Sequence, residues 1–210
     1  MKKSPLKKLL STSAVLLGLF FLDGCYPKGA EFVDELDLVT TIYDEEYDFS
    51  NKMTYAISDE IPLIGTDPIE YLDGPTTAVI LTKIRANMTA RGYDEVDVAA
   101  DPDLYLPVAV LEVKTTVIGC GGGWWGWYPG WGYPGYPGCW YPIGYSYSTG
   151  SIFMTLWDKD SLPTGDTDDT PPKWEAGING LLQGSTASIN ARIQKGIDQA
   201  FTQSPYIESL

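Results

Sequence analysis

The sequence contains no histidine, only 14 Lys and Arg against 28 Asp and Glu, and just three cysteines in 210 residues. Each scarcity removes a class of function. Without imidazole there is no Ser-His-Asp triad, no Cys-His dyad and no His-ligated zinc. The Gly-x-Ser-x-Gly elbow, the phosphate loop and the dinucleotide fingerprint are missing too, so no cofactor is expected. The acidic excess repels polyanions and excludes nucleic acid as a partner. Long apolar runs are also lacking. Leu9 to Leu22 has 14 residues, short of the ~20 that span a bilayer.

That run has another meaning. Lys2, Lys3, Lys7 and Lys8 precede it as a basic head, and Leu22-Asp23-Gly24-Cys25 follows it. Basic head and apolar run have the layout of a secretory signal, and the tetrad resembles the bacterial lipobox. The resemblance implies cleavage before Cys25 and palmitate-like acylation of Cys25, giving a membrane partner through the acyl chains. Tyr26 rather than Asp follows Cys25, so the expected address is the outer membrane, with residues 1–24 as the lipoprotein signal peptide. The alternative is an ordinary cleaved signal with Cys25 incidental. Cleavage removes four of the 14 basic and one of the 28 acidic residues, which leaves 10 and 27. Residues 25–35 then form an acidic tether to one domain over 36–210. Cys120 and Cys139 remain in an oxidising compartment. Paired, they close a 20-residue loop and stabilise by about 3 kcal/mol in the chain-entropy model; the alternative is two free thiols.

Within the domain, Leu36 to Tyr43 and Met53 to Ile57 have strand composition, and Ser58 to Gly74, rich in Pro and Gly, reads as a loop. Asp73-Gly74-Pro75 opens a helix whose Ile80, Ile84 and Met88 recur at i+4, and Gly92 stops it. Asp101-Pro102-Asp103 turns the chain into one strand over Leu104 to Ile118. Ser151 to Trp157 and Lys173 to Leu182 supply two more. A last helix begins near Ser185 and carries Ile189, Ile193, Ile197 and Phe201. Five strands and two helices in this order predict an α+β fold, an antiparallel sheet of about five strands with both helices on one face.

Gly119 to Tyr147 stands apart. Its 29 residues hold ten Gly, five Trp, six Tyr and four Pro, and no charge. Such composition makes no long regular element, so residues 119–147 read as an insertion pinned at its base by Cys120 and Cys139. Trp124, Trp125, Trp127, Trp131, Tyr133, Tyr136 and Trp140 are the candidate ligand-binding rings, with apolar faces that could stack on the sugars of a glycan or peptidoglycan. Two other readings stand beside this one, a loop dipping into the membrane interface and a low-complexity loop without a ligand. Asp158, Asp160, Asp166, Asp168 and Asp169 lack EF-hand spacing and read as a solvated acidic loop, so no metal is expected.

Several local patterns carry a family resemblance. Tyr47-Asp48-Phe49 precedes Thr54-Tyr55-Ala56, Ala90-Arg91-Gly92-Tyr93 ends a helix, Pro102-Asp103-Leu104 heads a strand, and Gly150-Ser151-Ile152 opens another. With the closing helix before Ser204-Pro205, these resemble domain-of-unknown-function family 4136, over Tyr43 to Tyr206. Members usually carry a Trp-Arg-Gly-like step where this chain reads Trp174-Glu175-Ala176-Gly177. The family brings no established activity and no catalytic residues. The expected function is therefore a non-catalytic, lipid-anchored envelope protein that presents an aromatic loop to a glycan. The alternatives are an interaction subunit with an envelope protein partner and, more remotely, an envelope glycan hydrolase, for which 27 scattered acids give no pairing signal.

Overall fold

The computed structural model describes residues 38–64, 70–111, 150–162, 171–179 and 185–209, all within the compact unit that runs from Asp37 to Leu210. Cys25, Cys120, Cys139 and the rings Trp124, Trp125, Trp127, Trp131, Tyr133, Tyr136 and Trp140 lie outside the described residues, as do residues 1–24 and the tether 25–35.

The helices form where caps and apolar stripes coincide. Helix α1 (Gly74–Ala90) begins at Asp73, whose Oδ1 accepts from the Thr76 N–H at 3.0 Å, with Pro75 in the first turn. Thr77, Ile80, Leu81, Ile84 and Met88 form its buried face. It stops at Gly92, which takes φ +86° while its N–H and that of Tyr93 donate back to Thr89 and Met88. Helix α2 (Thr186–Thr202) starts at Ser185 and buries Arg192, Ile193, Gly196, Ile197, Ala200 and Phe201. Three contacts join the helices. The Lys83 ammonium lies 2.6 Å from Asp198, the Asn87 amide donates to Asp198 at 3.0 Å, and Arg91 donates to the Phe201 carbonyl at 2.7 Å.

The strands are β1 (Val39–Tyr43), β2 (Thr54–Ala56), β3 (Pro62–Ile64), β4 (Glu70–Tyr71), β5 (Asp94–Glu95), β6 (Leu104–Tyr105), β7 (Val108–Leu111), β8 (Ser151–Asp158) and β9 (Trp174–Ile178). They form one nine-stranded sheet of mixed direction. The axis is β8. Along one side β7 and then β6 pair with it antiparallel, from Leu111 opposite Ser151 to Leu104 opposite Asp158. Along its other side runs β9, also antiparallel, and β1 pairs antiparallel with β9 as an outer strand. Beyond β6 and β7 the direction changes, since β2 is parallel to β6, β3 to β7, and β5 to β2.

The antiparallel five-strand sheet expected from the sequence is therefore incorrect: the sheet is mixed, curled and larger. Two causes act. Helix α1 returns the chain so that β5 runs in the direction of β2, as a crossover connection does. The 58–74 segment, read as loop, also supplies β3 and β4, each only two or three residues long. A further correction concerns Leu104 to Ile118, of which residues 112–118 lie outside the described residues. It is not one strand: Leu106 and Pro107 separate β6 from β7, because proline cannot donate to a ladder.

Side chains alternate across β8 and β9. Ile152, Met154, Leu156, Trp174, Ala176 and Ile178 enter one core with both helices. The Trp174 indole donates to Ser204 Oγ at 2.8 Å, fixing the chain after α2 to the sheet. On the other face Phe153, Thr155, Trp157 and Glu175 are buried as well.

Candidate functional site

Polar groups concentrate where β1 ends, β8 ends and β9 begins. Two clusters meet there, and they differ in how completely they are satisfied.

The first cluster surrounds Asp158. Its Oδ2 accepts from the Tyr47 hydroxyl at 2.5 Å and from the Lys52 ammonium at 2.8 Å, and its Oδ1 accepts from the Asp160 N–H at 2.7 Å. The Tyr47 ring also carries ammonium groups within cation–π range, Lys173 at 5.2 Å and Lys52 at 5.9 Å from its centroid. Burial pushes the Asp158 carboxyl up, but the hydrogen bonds from Lys52, Tyr47 and Asp160 outweigh it and hold it below the ordinary carboxylate range. Burial, then Asp158, push the Tyr47 phenol far up. Nearby, Asp103 Oδ2 accepts from the Met53 and Thr54 N–H groups and from Thr54 Oγ1. Every oxygen of these carboxylates named here is occupied, which makes the cluster a clasp for the 44–54 loop. Asp158 was expected on a solvated acidic loop. It is only 4 % exposed, because β8 continues one residue further than Trp157 and carries Asp158 into the sheet. Asp166, Asp168 and Asp169 lie outside the described residues. Among the described residues no three His, Cys, Asp or Glu side chains gather as a metal site.

The second cluster is left open. Glu175 lies at the centre of β9, opposite Ile42 of β1 and Thr155 of β8 in register. Since Trp174 and Ala176 point into the core, Glu175 points to the other face, where it is 4 % exposed. Its Oε1 is the buried side-chain oxygen or nitrogen among the described residues that has no hydrogen-bond partner. Desolvation by burial pushes this carboxyl up to about 8, so it is mostly protonated at neutral pH. Residues 42–45, Pro171, Pro172 and Glu175 line a cavity of about 310 Å³. Its lining grades from exposed Glu45 through half-buried Asp44 to buried Glu175. The cation two residues upstream is already engaged: Lys173 Nζ lies 3.0 Å from Asp44 Oδ2. That hydrogen bond holds the Asp44 carboxyl low.

An unpaired buried carboxyl is costly and is uncommon without a purpose. The expected site residues do not include Glu175. A sequence signal for it is an acid standing alone among Trp174, Ala176, Gly177 and Ile178, a strand otherwise without charge.

Comparison with known proteins identifies the family. A family model described as "Domain of unknown function (DUF4136)" matches residues 39–206. The chain belongs to the DUF4136 family. This member is similar to a DUF4136 family protein from Bacteroides thetaiotaomicron VPI-5482, whose crystal structure shares 28 % identity, covers 82 % of this chain and 97 % of that one, and superposes with a TM-score of 0.65. A PDZ domain protein from Parabacteroides distasonis matches at 19 % identity over 81 % of this chain and 36 % of its own, with a TM-score of 0.44. No curated protein matches the chain. Among the described residues of this DUF4136 protein, no helix is long and apolar enough to cross a membrane.

Proposed function

We propose that this DUF4136 protein is a non-catalytic, lipid-anchored protein of the bacterial outer membrane that binds an envelope component. The observation that carries the reading is the basic head, apolar run and Leu22-Asp23-Gly24-Cys25 tetrad in series, which makes Cys25 the acylated residue and 25–35 the tether. The uncharged rings Trp124, Trp125, Trp127, Trp131, Tyr133, Tyr136 and Trp140 supply apolar faces for the sugars of peptidoglycan or another glycan.

Two experiments test this reading. Labelled palmitate should enter the full-length protein and be lost in Cys25→Ala; an unlabelled, secreted product overturns the anchor. A soluble form beginning at Tyr26 should sediment with peptidoglycan sacculi, and a form with residues 121–138 replaced by a short Gly-Ser link should not. Equal sedimentation of the two forms overturns the aromatic-loop assignment.

A second reading, an interaction subunit of an envelope assembly, draws on the edge of the sheet. Among the described residues β1 pairs only with β9, so its other edge can accept a strand from a partner protein. Crosslinking from β1 to a stoichiometric partner, unaffected by glycan digestion, favours this reading.

A further inference from the structure

The pocket at Glu175 has a specific chemistry. Glu175 is one of its lining residues, and the Oε1 of this buried carboxyl has no hydrogen-bond partner. Its rim carries two further acids, Asp44 and Glu45, and its walls are Pro171, Pro172 and the β1 residues Ile42 and Tyr43. Among the described residues no basic side chain lines it. The nearby Lys173 is held by Asp44 at 3.0 Å and rests over the Tyr47 ring at 5.2 Å. Carboxyl groups on the floor and rim, between apolar walls, form a receptor for a positively charged donor on a slender apolar stem.

We propose that the cavity between β1 and β9 is a binding site for a cationic nitrogen group, a primary ammonium or guanidinium on a short aliphatic chain, with Glu175 Oε1 as its buried acceptor. The cavity, at about 310 Å³, sits at the small end of ligand pockets, which suits a chain of lysine-like or arginine-like length rather than a larger molecule. The acids on the rim draw the cation in, and the Glu175 carboxylate pairs with it after desolvation. The charged groups that line the cavity with Glu175 are Asp44 and Glu45, just after β1, while Lys173 at the run into β9 is paired with Asp44; Thr155 of β8 lies beside Glu175 in register with an uncharged hydroxyl.

Pairing with a cation requires Glu175 to give up its proton, so binding is linked to pH. Occupancy should strengthen as pH rises from 6 toward 9 and should release close to one proton per ligand near neutrality. A group already ionised would release none.

The test uses the chain from Tyr26 onward and two probes, n-butylammonium as a free amine and N-acetyl-arginine methylamide as a guanidinium on a peptide side chain. Calorimetry in buffers of different ionisation enthalpy counts the protons released, and the carboxyl carbon resonance of Glu175 reports its ionisation directly. The expected result is saturable binding of at least one probe, with proton release and a Glu175 resonance that moves to the carboxylate position. In Glu175→Gln, which keeps the shape of the side chain, affinity should fall by about tenfold or more and proton release should vanish. Preference between the probes tells a free amine from a guanidinium side chain. Absence of binding by both probes at pH 9, or equal binding by wild type and Glu175→Gln, overturns the proposal. Glu175→Gln leaves Cys25 and residues 119–147 unchanged in sequence, so neither outcome bears on the lipid anchor or on sacculus binding.

Discussion

The Trp174 indole N–H and the Ser204 hydroxyl meet at 2.8 Å with both residues completely buried. The same hydroxyl oxygen accepts from the Tyr206 phenol at 3.2 Å. One small side chain thus ties β9 to the segment that follows α2. Ser204→Ala removes the acceptor and leaves a buried N–H unpaired, which should cost about 1–3 kcal/mol. A lower urea midpoint with an unchanged m-value is the expected result. An unchanged midpoint would mean that the indole finds another acceptor.

Glu175 makes stability depend on pH in the direction opposite to most acids. Its folded-state pKa, about 8, lies above the ordinary value of 4.5. Between these values the unfolded chain has lost a proton that the folded chain still holds, so stability falls as pH rises through this window. The slope from this one group approaches 1.4 kcal/mol per pH unit. The loss is complete above pH 8. Thermal melts of Glu175→Gln should lack this decline and lie above wild type at pH 9. Parallel curves for the two proteins from pH 5 to 9 would contradict the burial of an isolated carboxyl.

Acid acts through other groups. Asp103 and Asp158 are each pushed up by burial but held below the ordinary carboxylate range by their hydrogen bonds, those from the Met53 and Thr54 N–H groups for Asp103 and from Lys52 and Tyr47 for Asp158. Lowered folded-state values stabilise the protein above the unfolded pKa, and that contribution disappears as pH falls through the folded-state values. Unfolding below pH 4 should therefore begin by loosening the 44–54 loop. Hydrogen exchange at Met53 and Thr54 should rise before exchange in α1. Asp103→Ala should bring this behaviour to neutral pH and cost about 2 kcal/mol or more.

Gly92 tests the turn between α1 and β5. Its φ is +86°, and a Cβ there would meet the Ser209 carbonyl oxygen at 3.1 Å. Gly92→Ala should lose about 1–2 kcal/mol from the left-handed conformation alone, with added crowding against Ser209. Chemical denaturation measures the difference.

Both helices were legible because their signals are redundant. Asp73 with Pro75, and Ser185 before Ile189, mark the starts, while the i+4 stripes mark the buried faces. Strands β1, β2, β8 and β9 were legible from β-branched and aromatic residues, although their ends moved by a few residues. Strands β3, β4 and β5, at two or three residues each, are too short for an alternating pattern to develop. Strand direction is not written in local composition at all, so the mixed sheet could be known only from pairing. Glu175 shows the same limit. Residue type marks an acid in an apolar strand, but its missing partner and the cavity before it depend on β1, which is far away in the chain.

The pairing of β1 with β9 sets the order in which the molecule can be completed. Val39 meets Ile178 and Tyr43 meets Trp174, so the first of the described strands waits for the last. Until Trp174–Ile178 has been synthesised and seated along β8, β1 has no ladder to join. Contacts so distant in sequence favour slow folding, because the chain is ordered over a long loop before the pairing rewards it. During that interval both β1 edges are available to other chains, which makes a holding chaperone most useful before the β1–β9 ladder closes.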